Sequence, residues 1–590
     1  MNYSACNSHH FLGYWSLESE HQLSSQFEKI LSEKNYTYSC SKSNQAHSQW
    51  NVCYIQAEKT VTSKNETFIA EISVSGLTKP EAWVRTESNH LILGREPFGR
   101  VPLYWTSTQQ AIWFSTQVQL LIPLLNDPQI SLEGFYGYTC FSYVPTPLTT
   151  VDKIFSVPAG CELIFPQEPS LHHPKTIRIK NQYQWQENNI KINNEEEAIL
   201  QLKTLLKEAI HRQLENLPSE PVGVFLSGGI DSATVAALLV QSGVKVRAYT
   251  LDFGEEYSPE WPYAQQVAQY LKIPLTKVPA TPNRIKKALV ETVCALDLPF
   301  GDGVTTPLYL LNQAARQDVN IVFNGEGGDQ LFAGWTNKPM IAALTYQGFN
   351  SNSSQTETDF TQHYLQTFHR LYSYEAQIFQ PNLLTRINKI HPMIGLKDAL
   401  NPKYCSGLLH RLRRASLMLK GAQNIHPRAT NLALSQGLKL RSPFCDLPLA
   451  EWTFQLKGEL YLQGSCEKYI LKRAVENWLP PEIVWREKRG MGVPLTQWCL
   501  NPFWSDVGYW LNSGVLEAEG RFVSALAMQA IKGDLGGYMQ GRRIGEILWL
   551  LIIWQIWRTK VFGESVTHRS LIHPFLLPYK WWKWRSQSIE

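Results

Sequence analysis

The 590-residue chain has no CxxC pair and no Cys/His cluster at zinc spacing, although it contains 10 Cys, so neither a structural zinc site nor a disulfide framework is expected. It has no GxxxxGK[ST] loop, which sets aside the phosphate cradle of enzymes that transfer a γ-phosphate. A formal net charge of +4 with 18% charged residues leaves no basic excess for nucleic acid. The apolar run Ile547–Trp557 is interrupted by Gln555 and flanked by Glu546 and Arg558. It falls well short of the about 18 residues of a membrane span and reads as a buried helix. No basic segment followed by an apolar run opens the sequence, so no secretory signal is expected, and a cytoplasmic, reducing location fits. The 20 Trp residues have no functional reading at this level.

What is present begins with residues 222–240, VGVFLSGGIDSATVAALLV, a short apolar run joined to a helical pattern through glycines and hydroxyls. Ser227, Gly228, Gly229, Asp231 and Ser232 sit where the first N–H groups of a helix lack internal partners, which suits phosphate. A carboxylate inside such a cradle calls for a bridging cation, so ATP with Mg2+ is the expected ligand pair. A second strand, residues 320–323, leads into NGEGGDQLFAG at 324–334. Alternating strands and helices from residue 222 to 323 argue for a parallel sheet, and loops on neighbouring parallel strands face each other at its carboxyl end.

SGGIDS together with NGEGGDQLFAGW resembles the ATP-pyrophosphatase domain of the asparagine synthetase family. That resemblance implies Asp231 and Asp329 as metal ligands and Glu326 as an acid beside the acyl-adenylate; the β-lactam synthetases, similar in pattern, carry Tyr at the place of Glu326. It implies adenine contacts from backbone groups of Val224, Leu251 and Gly325. Asp302, in the turn PFGD, is expected either on the nucleotide side of the site or as a helix N-cap. RSPFCD at 441–446 resembles the family's RxPFLD, with Lys439 standing where asparagine synthetases commonly have Glu. In EKYILKRAV at 467–475 and REKRGMGVP at 486–494, Lys468 is implied to reach the phosphates and Lys488 to stabilise negative charge as the bond forms.

The N-terminal part, with REPFGRVPLYW at 95–105 and YTCFSYVPTP at 138–147, resembles the family's glutaminase domain. The implied fold class is α/β: an N-terminal β-rich, Ntn-type glutaminase-like sandwich, then a parallel-sheet ATP-pyrophosphatase domain with a helical C-terminal region. The expected boundaries are 1–175 for the amidotransferase-like domain, 176–194 for a linker and 195–590 for the synthetase domain. Asn194 is expected to cap the first synthetase helix. Position 2 is Asn, Cys6 lies within the chain, and residues 40–83 show nothing like the family's RLSxxD and NGEIYN glutamine-binding segments. The domain is therefore expected to keep its fold without hydrolysing glutamine.

The expected activity is an ATP-dependent, AMP-forming ligase that adenylates a side-chain carboxylate and joins it to an amine. The likeness in kind to lasso-peptide macrolactam synthetases points to an intramolecular bond on a peptide, with a leader-peptide-binding or protease partner. The alternatives are conversion of aspartate to asparagine and a non-catalytic binding protein of the same family.

Overall fold

The computed structural model describes residues 10–16, 21–33, 38–45, 48–55, 68–74, 79–87, 90–166, 177–188, 192–215, 217, 220–254, 260–334, 355–371, 374–487, 490–533, 544–566 and 573–582. Short apolar runs broken by polar turns form strands because alternate side chains can be buried between layers. One antiparallel sheet, ordered β2-β3-β1-β8-β7-β9, comprises β1 (His10–Ser16), β2 (Tyr38–Gln45), β3 (Ser48–Ile55), β7 (Tyr104–Ser107), β8 (Ala111–Ser115) and β9 (Phe155–Ser156). A second, ordered β11-β10-β6-β5-β4, comprises β4 (Phe68–Ile72), β5 (Ala82–Glu87), β6 (His90–Arg95), β10 (Cys161–Phe165) and β11 (Arg178–Asn181). Phe11 and Trp15 of β1 share a core with Val84 and Leu93 of the second sheet. Leu12 and Tyr14 face the other way, towards α1 (His21–Glu33). The N-terminal part is thus the expected β-rich sandwich, with a helix on its outer face.

Two sequence expectations change here. Cys53 is disulfide-bonded, which cysteine spacing alone did not suggest. The expected linker 176–194 contains β11, which pairs with β10 from Cys161↔Asn181 to Ile164↔Arg178. It also contains Trp185, buried with its ring 5.2 Å from that of Phe98. Polar composition hid this strand because its side chains face solvent while its backbone completes the sheet edge.

The third sheet is parallel, ordered β14-β13-β12-β15-β16, from β12 (Val222–Phe225), β13 (Val246–Asp252), β14 (Leu275–Pro279), β15 (Ile321–Phe323) and β16 (Lys439–Arg441). Strand order reverses between β12 and β15, which opens a crevice at their carboxyl ends. Asn194 caps α3 (Glu195–Leu214), accepting from the Glu197 N–H at 3.0 Å. Leu202, Leu206, Ala209 and Gln213 of α3 are buried, as their helical spacing predicts.

The N-terminal and synthetase parts share one core. The helix Ile544–Lys560, which includes the apolar run, is buried almost throughout. Its Trp554 stacks on Tyr138 at 5.9 Å and on Trp557 at 5.3 Å, while the Tyr138 hydroxyl donates to the Leu550 carbonyl at 2.7 Å. Trp554 and Trp557 thus help to fill the junction. Among the described residues no helix is long and apolar enough to cross a membrane.

The REPFGR segment is explained by backbone carbonyls that need donors. The buried Arg95 guanidinium donates to the carbonyls of Val101, Val157 and Gly99 at 2.8, 2.7 and 2.8 Å. Glu96 accepts from the N–H groups of Phe98 and Arg100 at 2.8 and 2.7 Å. The turn so held presents the Phe98 carbonyl to His426 Nδ1 at 2.8 Å across the junction.

Burial draws the His426 pKa from 6.5 down to about 4, opposed by that hydrogen bond and helped by Arg100 and Arg428. Because the unfolded chain takes up this proton first, stability should fall as pH drops below about 6.5, with the loss complete below about 4. Between pH 7.5 and 4.5, urea unfolding of the wild type is expected to lose about 2 to 3 kcal/mol more than His426→Asn. Equal pH dependence in both proteins would contradict this assignment.

Candidate active site

At the end of β12 the chain must turn sharply and then start α4 (Ile230–Gln241). Gly228 has φ +72°, and a Cβ there would lie 2.6 Å from the backbone nitrogen of Ala264. Gly229 is the N-cap of α4 and supplies no side-chain acceptor, so the first N–H groups of the helix face the crevice as anion donors. Ser227 and Ser232 knit the loop. The Ser232 hydroxyl accepts from Ser227 N–H at 3.2 Å and donates to the Gly229 carbonyl at 3.1 Å. That hydroxyl thus braces the loop, and Ser232 also lines the cavity.

The loop after β15 presses against this one. A Cβ on Gly325 would sit 2.7 Å from Ser232 N and 2.9 Å from Asp231 C, and one on Gly328 would sit 2.6 Å from Asp231 Cγ. The glycine density of the second loop is thus the condition for close approach of two backbones. Asn324 anchors it, taking a 2.7 Å bond from Ser442 Oγ and donating its own N–H to Arg441 O at 3.1 Å. The RSPFCD segment works as scaffold here, and Asp446 also holds Arg212 of α3 through bonds of 2.9 and 2.8 Å.

Lys468 joins the two loops. Its Nζ lies 2.5 Å from Asp329 Oδ1 and also contacts Asp231 Oδ2. The residue is 1% exposed and left-handed, with φ 56° and ψ 30°, a conformation costly for a non-glycine residue. Gly334 makes room for it, since a Cβ there would overlap Lys468 Cε. Burial pulls the ammonium's pKa down, but the Asp231 and Asp329 carboxylates outweigh burial and raise it overall. The structure thus sets Lys468 between the acids, where the sequence reading aimed it at phosphate. Asp231 Oδ1 is buried with no hydrogen-bond partner, and two hard carboxylates at the mouth of an anion cradle are a donor set that fits Mg2+.

A cavity of about 530 Å³ runs along these loops. Ser227, Asp231, Ser232, Leu251, Gly325, Glu326 and Asp329 line it. Val224 does not, being fully buried within the sheet, and the next residues, Phe225 and Leu226, take that position. Lys488 lies outside the described residues, while Gly490 and Met491 just beyond it line the cavity. Lys439 is exposed at the start of β16 and is not part of the lining.

Another wall carries charges that motif reading missed, apart from Asp302. Asp302 binds Arg370 at 3.2 Å, Arg428 at 3.1 Å and Asn424 at 2.8 Å. Burial pushes its pKa up, yet Arg370, Arg428 and Asn424 together bring it below the usual value. Its N-cap alternative is not realised, since Val304 is the N-cap of α7 (Thr305–Ala315). Lys420 and Arg428 sit two turns apart on consecutive helical segments, Arg370 comes from a distant part of the chain, and none lies in a recognised motif, so no motif grouped them.

Asp231→Asn and Gly325→Ala are each expected to lower ATP-dependent pyrophosphate release by about 100-fold or more, the first by removing charge and the second by parting the loops. The thermal midpoint of Asp231→Asn should fall, because the buried Lys468 keeps only one carboxylate partner, so turnover is compared well below both midpoints. Turnover near wild type in Asp231→Asn would remove this carboxylate from the site.

Comparison with known proteins agrees with this arrangement. Residues 201–559 match the asparagine synthase family and residues 82–174 a glutamine amidotransferase domain. The chain is 21% identical over 525 residues to asparagine synthetase [glutamine-hydrolyzing] 1 of Bacillus subtilis, covering 82% of this chain and 78% of that one. It is 25% identical over 298 residues to the asparagine synthetase [glutamine-hydrolyzing] of Gallus gallus, covering 49% and 42% of the two chains. Among solved structures, the NMN synthetase of Francisella tularensis matches 38% of this chain and 92% of its own at 19% identity, with a TM-score of 0.19 that adds nothing to the fold argument. With well over half its length matched and both nucleotide loops in register at the switch point of a parallel sheet, the chain belongs to the asparagine synthase family, as an ATP-dependent carbon–nitrogen ligase.

Proposed function

We propose that this ligase joins a side-chain carboxylate and an amine of one peptide, closing a macrolactam while ATP becomes AMP and pyrophosphate. The observation that carries the peptide reading is the absence, between Cys40 and Trp83, of any RLSxxD or NGEIYN segment for holding glutamine. Without a glutamine site the amine is supplied by the substrate. The cavity's apolar wall, with Leu308, Leu311, Leu432 and Leu495, also suits a substrate larger and less polar than free aspartate.

A carboxylate does not condense with an amine at neutral pH, since oxide would have to leave. In the adenylation step a carboxylate oxygen attacks the α-phosphorus and pyrophosphate departs, so the leaving group becomes AMP. The amino terminus of α4 would cradle the phosphates, and Asp231 and Asp329 would hold Mg2+. When bound, Mg2+ supplies neutralisation of charge on the phosphates. Lys468 keeps both acids oriented at the junction of the loops. The amine nitrogen then attacks the acyl carbon, AMP leaves, and the nitrogen's proton passes to Glu326, which lines the cavity. An α-amine with a pKa of about 8 is already partly neutral, so modest base help suffices. Lys488 is assigned the oxyanion that develops in that attack. Holding amine and carboxylate on one chain can be worth an effective molarity of about 10⁵ M.

The second reading, conversion of aspartate to asparagine, is favoured by the glutamine-hydrolysing relatives that match along most of the chain. The two readings part in one experiment. With ATP and Mg2+, a peptide bearing a free amine and an Asp or Glu side chain is expected to yield a product lighter by one water, seen by mass spectrometry. Formation of asparagine from free aspartate, or release of glutamate from glutamine, would favour the second reading. Glu326→Gln should slow amide formation by about 10- to 100-fold at pH 7 and by less at pH 9, where the amine no longer needs a base. A pH-independent deficit would remove Glu326 as the base.

A further inference from the structure

The segment Ser416–Ile425 is a π-helix, a wide form that is rare outside functional sites. It separates two cavities. Ser416, Lys420 and Ile425 line the catalytic cavity, whereas Met418, Leu419 and Gln423 line an apolar cavity of about 400 Å³ against the N-terminal sandwich. That sandwich clamps the helix. Gly99 packs so closely that a Cβ there would lie 2.7 Å from the Ala422 carbonyl, and Gln423 Oε1 accepts from Thr146 N–H at 3.0 Å.

Lys420 is the cation this clamped helix offers to the cavity. Its neighbours are already committed, Arg370 to Asp302 and Glu546, and Arg428 to Asp302 and Asn424. Among the described residues Lys420 itself has no hydrogen bond or ion pair, although it opens into the cavity. The protein packed around it draws the ammonium's pKa down, with Asp302 opposing and Arg370 and Arg428 adding to the effect, while the side chain itself remains exposed. An unpaired cation that lines the cavity and stays open to solvent is free to pair with an arriving anion through a charge-assisted hydrogen bond.

We propose that Lys420 receives a carboxylate of the acyl substrate, its ammonium donating a charge-assisted hydrogen bond that selects acid-bearing substrates. The ammonium's lack of a protein partner, at a wall of the cavity whose other cations are occupied, carries the assignment. It rests on the ligase reading, in which a carboxylate must enter this cavity in any case.

Two measurements test it. In pyrophosphate-release assays with an acid-bearing peptide or with aspartate, Lys420→Met should raise the KM for that substrate about tenfold or more, while the KM for ATP stays within twofold and Lys420→Arg recovers most of the loss. An unchanged substrate KM, or a parallel rise for ATP, would overturn the assignment. Independently of turnover, wild-type protein is treated with trinitrobenzenesulfonate and mapped by mass spectrometry. Glutarate should slow labelling of Lys420, and the neutral glutaramide should not. Equal labelling with both would overturn the proposal even where ligation is observed. Slowed labelling without pyrophosphate release from either substrate class would support Lys420 while rejecting the substrates assigned here.

Discussion

A buried ammonium between two carboxylates holds the active site together. Asp231 comes from the loop after β12, Asp329 from the loop after β15, and Lys468 from the turn before the helix Tyr469–Val475. Each part is unfavourable alone, since the loops bring acids together and the lysine is buried in a left-handed conformation. Removing one partner from such a set typically costs about 3 to 5 kcal/mol, because a buried charge is left uncompensated. The glycines at 325, 328 and 334 exist in this context to let the three segments approach. Geometry and charge balance at the phosphate end are therefore one constraint.

The N-terminal sandwich is tied to that site by more than chain connectivity. Asp297, buried near the end of α6 (Pro282–Leu296), accepts from the N–H groups of Val118 and Gln119, and its carbonyl accepts from Trp557 Nε1 at 2.8 Å. Arg95 and Glu96 shape the turn that meets His426, and Gly99 of that turn packs on the π-helix. A glutaminase-like fold can thus serve the synthetase as a wall. It fixes the helix that presents Lys420, whatever its own chemistry.

The charged wall follows a different logic from the phosphate end. Asp302 gathers two guanidiniums and an amide, so its own charge is fully used within the protein. Lys420 is left over, and the position suits an incoming anion. One end of the cavity is shaped by backbone approach and the other by side chains from two turns and one continuous helical stretch.

The local chemistry of the sequence determined the nucleotide loops, the parallel strands that carry them and the cap at Asn194, because each depends on neighbours a few residues apart. The edges of β8 and β13 follow from apolar runs bounded by turn residues. Only the tertiary structure decided that β11 lies within a polar stretch, that Cys53 finds a disulfide, and that Lys468 sits between two acids rather than pointing at phosphate. Backbone pairing carries no signature in side-chain polarity, and cysteine spacing alone did not suggest a disulfide, so the first two could not be seen. The grouping of Asp302, Arg370, Lys420 and Arg428 was hidden for a related reason. Lys420 and Arg428 lie two turns apart on consecutive helical segments, but Asp302 and Arg370 are far from them in the chain, and their shared surroundings exist only once the chain packs around the cavity.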